Sequence, residues 1–152
     1  METYVWLQKV NKDIGEGIFK RRNERHKVGQ VGEEIREKIN RLGVNLETAE
    51  ISVSDGDLAH ARRETKEYKL PDSVWEKLPV SLDRPKHIFW DNEKPGIIYV
   101  IEVEDGLGKI VVLPNYKVGK GSKAKITNNV RTGRKIKGMR EFFDPVHFTK
   151  LK

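Results

Sequence analysis

Two guanidinium side chains, Arg62 and Arg63, follow His60 within three residues and cluster with its imidazole. Metal-independent RNA cleavage is one chemistry that uses such groups. That chemistry needs a base to activate the 2′-hydroxyl, cations to hold the charge developing on phosphorus, and an acid to protonate the departing 5′-oxygen. Imidazole ordinarily titrates near neutral pH, so it can act as base or acid. On a helix Arg63, at i+3, shares the face of His60, whereas Arg62 points further round. The plain structural alternative is a surface histidine paired with Glu64 one turn on.

Metal chemistry finds less support. The four histidines, His26, His60, His87 and His147, are widely separated, and His60 with Glu64 offers only two ligands at helical spacing. The chain has no cysteine, which excludes a disulfide framework, a thiolate zinc site and a cysteine nucleophile. The residues call for no metal and no cofactor.

The charge is uneven. Of a formal net +7, the stretch from Gly106 to Arg140 carries ten cations and no Asp or Glu, so the rest of the chain stands at −3. Such a single-sign stretch attracts polyanions and is screened by salt. Its candidates for contact with nucleic acid are Lys109, Tyr116, Lys117, Arg131, Arg134 and Lys135. Tyr116, between Asn115 and Lys117 at the end of an apolar run, suits stacking on a base or touching phosphate. Tyr99, Trp75 and Trp90 lie in apolar runs and read as core.

These residues need elements to hold them. The first 27 residues, with Trp6, Leu7, Val10 and Ile14 at helical spacing, predict an amphipathic helix followed by a basic run, read as an arm or linker ahead of a domain at 28–152. Val31, Ile35, Ile39 and Leu42 predict a second helix closed by Gly43. A third helix starts at Ser54 or Asp55 and carries His60 to about Glu67. A fourth starts at Ser73, with Glu76 at capping-box spacing. From His87 the period changes. His87–Trp90, Ile97–Val103 and Lys109–Leu113 predict a meander with a turn at Asp105-Gly106, and Ala124–Val130 and Met139–Phe143 extend it. Helices followed by an antiparallel sheet of about four strands is an α+β arrangement. The 36% hydrophobic content suffices for one modest core, and no apolar run approaches the roughly 20 residues of a membrane span, so a soluble protein is expected.

Val28-Gly29-Gln30-Val31-Gly32, Val53-Ser54-Asp55-Gly56 leading to His60, Leu78-Pro79, Asp83-Arg84-Pro85 and His87-Ile88-Phe89-Trp90-Asp91 occur in a telling order. Ile98-Tyr99-Val100, Lys109-Ile110-Val111-Val112 and Asn128-Asn129-Val130-Arg131-Thr132 continue it. Together they resemble the phage-associated nuclease domains of the barnase, EndoU, colicin and RelE-like (BECR) class, over roughly residues 28 to 135. The resemblance implies helices on a four-stranded antiparallel sheet and metal-free ribonuclease activity. It also implies the helix histidine at His60 and a late-strand polar group at Thr132 or Asn129. The sequence departs from the class in having Ala61-Arg62-Arg63-Glu64 after the histidine and Arg134-Lys135-Ile136-Lys137 after the late strand.

The expected function is a phage-encoded or toxin-type endoribonuclease, with His60, Arg63, Arg131 and Thr132 catalytic and Arg62, Lys109, Tyr116, Lys117, Asn129, Arg134 and Lys135 binding RNA. The alternative is a non-catalytic nucleic-acid-binding or virion-assembly module. The expected substrate is tRNA or general RNA. Further partners implied by the class are an acidic immunity or antitoxin protein and a phage head protein, with no membrane. The expected setting is the cytoplasm of a host or target cell, or the virion.

Overall fold

In the computed structural model, which describes residues 1–152, the chain forms five helices and seven strands, with the first two strands set between helices before a meander of the later ones. Helix α1 (Thr3–Gly15) starts where the Glu2 carboxylate accepts the N–H groups of Tyr4 and Val5, and it buries Trp6, Leu7 and Val10. Strand β1 (Arg25–Gln30) follows. Helix α2 (Glu33–Arg41) has acids in its first turn and cations in its last, matching the helix dipole, and buries Ile35 and Ile39. Strand β2 (Glu50–Ser54) runs without a loop into α3 (Asp55–Ala61), whose first turn is capped by Ser54 Oγ accepting from Asp57 N–H at 3.0 Å. Two short helices, α4 (Asp72–Glu76) and α5 (Leu78–Asp83), lead to β3 (His87–Asp91), β4 (Gly96–Val103), β5 (Gly106–Val118) and β6 (Lys125–Ile136). A three-residue β7 (Phe148–Lys150) ends the order.

All seven strands form one sheet, in the order β1-β2-β6-β5-β4-β3-β7, with β2 and β6 parallel and every other pair antiparallel. This corrects the expectation of a four-stranded antiparallel, BECR-like sheet, though the class remains α+β. The extra strands have physical reasons to escape notice. β1 and β2 are short and largely polar, and β2 joins β6 only through Ile51–Asn128 and Ser52–Asn129. No local turn announces such a parallel join. The expected strand at Met139–Phe143 is instead a 3-10 turn at Arg140–Phe143. β5 runs beyond Leu113 because the ladder accommodates Pro114 and Asn115 as an irregularity between Leu113 and Tyr116, with Asn115 at φ 51°. Helix α3 stops at Ala61 rather than near Glu67, and α4 starts at Asp72 with no side-chain cap from Ser73.

The helices cover mainly one sheet face. There Trp6, Leu58, Trp75 and Leu78 meet Ile51, Val53, Ile97, Tyr99, Ile110 and Val112. A smaller cluster, Phe89, Ile98, Val100 and Phe142, closes part of the other face, with the rings of Phe89 and Phe142 stacked at 4.6 Å. The expected boundary after residue 27 falls inside β1, and Trp6 of α1 stacks on His26 at 4.3 Å, so the first 27 residues share the main core. No helix is long and apolar enough to cross a membrane.

Candidate functional site

Because Ile51 and Val53 point into the main core, the residues alternating with them on β2, Ser52 and Ser54, face the other way. Ser52, Thr127 and Asn129 are buried, and the first two share a hydrogen bond at 2.7 Å. This polar floor holds a guanidinium. Arg25 Nη1 donates to Ser52 Oγ at 2.9 Å and to Asn129 Oδ1 at 2.7 Å. Asn129 Nδ2 in turn donates to Asp57 Oδ2 at 3.0 Å, and the second oxygen of Asp57 lies 3.6 Å from Arg131 Nη1. The result is a continuous run, Arg25–Asn129–Asp57–Arg131, joining β1, β6 and α3.

Two further devices bring the walls together. The fully buried Asp55 accepts Arg22 N–H at 2.6 Å and Gly56 N–H at 2.8 Å, which binds the segment before β1 to the start of α3. The irregularity in β5 re-aims Tyr116, whose ring centroid lies 5.7 Å from the Arg25 guanidinium. Above this floor opens a cleft of about 570 Å³, lined by Arg21, Arg25, Arg63, Lys117 and Arg131 together with His60, Tyr116 and Asp57. Five cations face one carboxylate. Burial pushes the Arg25 guanidinium below its usual range, while the negative charge of Asp57, the Tyr116 phenol and Glu50 act in the opposite direction. Arginine nonetheless keeps its charge at physiological pH.

Of the residues read from the sequence, His60, Arg63, Tyr116, Lys117 and Arg131 meet in this cleft. Asn129 lies beneath it as a brace, fully buried. Thr132 pairs with Val111 across the β5–β6 ladder and does not line the cleft. Arg62 is buried on the other side of α3, donating to Asn11 O at 2.8 Å, Asn11 Oδ1 at 2.9 Å and the Asp72 carboxylate at 2.8 Å, which makes it a structural clamp. Lys109, Arg134 and Lys135 line a separate groove with Tyr68, Lys137 and Arg140. Sequence reasoning placed Arg21 and Arg25 only in the basic run after the first helix, read as an ordinary solvated end, and did not single out Asp57. The signal for Arg25 was alternation, since His26 beside it faces Trp6 in the core. No group of three or more His, Cys, Asp or Glu side chains is arranged to hold a metal ion.

No protein-family model, curated protein or solved structure matches the chain.

Proposed function

We propose that the cleft binds one phosphodiester of RNA and cleaves it without a metal ion. The observation that carries this reading is the convergence of His60 and Tyr116 with Arg25, Arg63 and Arg131 around a single carboxylate. Arginine forks match the geometry of phosphate oxygens and stabilise the negative charge that accumulates on them during attack. His60 takes the proton of the 2′-hydroxyl. The 2′-oxygen then bonds to phosphorus as the bond from phosphorus to the 5′-oxygen breaks, and the Tyr116 hydroxyl gives the leaving 5′-oxygen its proton. The products are a 2′,3′-cyclic phosphate and a free 5′-hydroxyl. Arg63 and Arg131 clamp the phosphate, while Arg25 supplies fixed charge from below.

The test is incubation of end-labelled RNA with the protein in excess EDTA. Wild type is expected to leave cyclic phosphate ends, and His60→Ala to cleave on the order of 10² to 10⁴ times more slowly. Intact RNA at high protein concentration, or equal cleavage by the two proteins, removes the catalytic reading. Retained, salt-sensitive RNA binding in that case identifies a module that binds without cutting.

A further inference from the structure

The acid-free stretch contributes cations to two grooves, and β6 connects them. Arg131 in the cleft and Arg134 in the second groove, itself about 560 Å³, are three residues apart on this strand. That spacing is about 10 Å of extended chain, close to the rise of about three stacked nucleotides. β2 pairs with β6 only at Asn128 and Asn129. Further along, Tyr68 meets the strand instead, its carbonyl accepting Lys135 N–H at 2.7 Å. This sets the Tyr68 ring 4.2 Å from the Arg134 guanidinium and 6.0 Å from Lys137 Nζ.

The charges at this groove divide into two kinds. Lys109 and Lys135 are paired with Glu141 at 3.5 Å and Asp105 at 3.0 Å. Arg134, Lys137 and Arg140 have no ion-pair partner. Unpaired cations beside an aromatic ring and a flat guanidinium suit single-stranded nucleic acid, in which bases stack on π-faces while phosphates meet charge. An acidic peptide would use the charge and leave the stacking surface idle.

We infer that single-stranded RNA held in the cleft continues along β6 into this groove, where Tyr68 and Arg134 take a base and Lys137 and Arg140 take its phosphates. The inference rests on the RNA reading of the cleft. The groove is a length sensor: RNA of about four nucleotides fills the cleft alone, and a longer strand reaches both.

Anisotropy with fully 2′-O-methylated single strands of about four and about twelve nucleotides tests this, since those probes bind but cannot be cleaved through the 2′-oxygen. Wild type is expected to bind the longer strand more tightly. Combining Lys137→Ala and Arg140→Ala is expected to weaken the longer strand about tenfold, equivalent to about 1.4 kcal/mol. The same double variant makes its log-affinity against log-salt slope shallower by about 1.4, the contribution of two phosphate contacts in a single strand. The shorter strand keeps its affinity. Tyr68→Ala is expected to weaken the longer strand with its salt slope unchanged, which separates stacking from charge. Equal affinity of wild type for the two lengths overturns the inference, as does an unchanged long-strand affinity in the variants or an equal loss on both strands. Equal competition by polyglutamate and twelve-nucleotide RNA overturns it in favour of a general polyanion surface. Failure of wild type to bind either strand removes the cleft reading, and this one with it.

Discussion

Arg25 is held by two acceptors on two different strands, and that fixes what can replace it. A lysine keeps the charge but cannot present the guanidinium fork to Ser52 and Asn129 while lying against Tyr116. Arg25→Lys is therefore expected to lower RNA affinity and cleavage rate although the net charge is the same, as titration binding and single-turnover kinetics would report. Asp57 works in the opposite sense. Its carboxylate occupies Arg131 at 3.6 Å and repels an incoming phosphate, so Asp57→Asn is expected to tighten RNA binding and steepen its salt dependence. Unchanged affinity in that variant would show that Arg131 does not meet phosphate. At this scale His60, Arg63, Tyr116 and Arg131 were legible because residue type and local spacing suggest their chemistry. Arg25 and Asp57 were not, since their importance appears only when β1 lies beside β2 and β2 beside β6.

The elements that carry the site tolerate little change where they approach one another. At Gly133 on β6 an added Cβ would lie 2.6 Å from the ring of Trp75, a side chain only 1% exposed. Gly133→Ala is expected to destabilise the fold by about 1–3 kcal/mol through overpacking, a fall in Tm of about 2–4 °C per kcal/mol for a chain of this size. A thermal melt with an unshifted midpoint would show that Trp75 yields without cost. The helical stripe of α2 and the β3–β4–β5 meander were readable because periodicity and turn residues are local. The length of α3 was not, because Arg62 leaves the helix to clamp Asp72, a partner that helical periodicity does not specify. β7 is three residues long, below the length at which alternation says anything.

Across the whole molecule the cleft lies at the β1–β2–β6 side of the sheet, while the opposite edge is closed by an ionic clasp. His147 sits between Asp144 on its Nδ1 side and Glu93 at 2.6 Å from Nε2, joining the segment before β7 to the β3–β4 turn. The hydrogen bond that His147 donates to Asp144, reinforced by the charge of Glu93, holds the imidazolium pKa above its ordinary value of 6.5. The same contact with His147 holds the Asp144 carboxyl below its ordinary 3.8. The raised histidine contributes stability that is complete below 6.5 and is lost as pH climbs through its folded value. The depressed carboxyl contributes stability above 3.8 that is lost as pH falls through its folded value. The clasp is thus firmest in mildly acidic solution. His147→Gln is expected to flatten the dependence of Tm on pH from that region upward, leaving RNA affinity unchanged because the clasp and the cleft lie on opposite sides of the sheet. Thermal melts and binding titrations on one protein sample would separate the two effects.

The narrow join between β2 and β6 also sets an order of events in time. The meander from β3 to β6 pairs neighbours in sequence, whereas the Ser52–Thr127 bond closes a separation of 75 residues. Contacts of long sequence separation are slow to form, because the entropy of closing the loop must be met before they reward it. Pulse-labelled hydrogen exchange should accordingly protect the amides of β4 and β5 before those of β2. A chain still emerging from the ribosome with β6 unmade has His60 but neither Arg131 nor Asn129, so the cleft is assembled only when synthesis of the sheet is nearly complete.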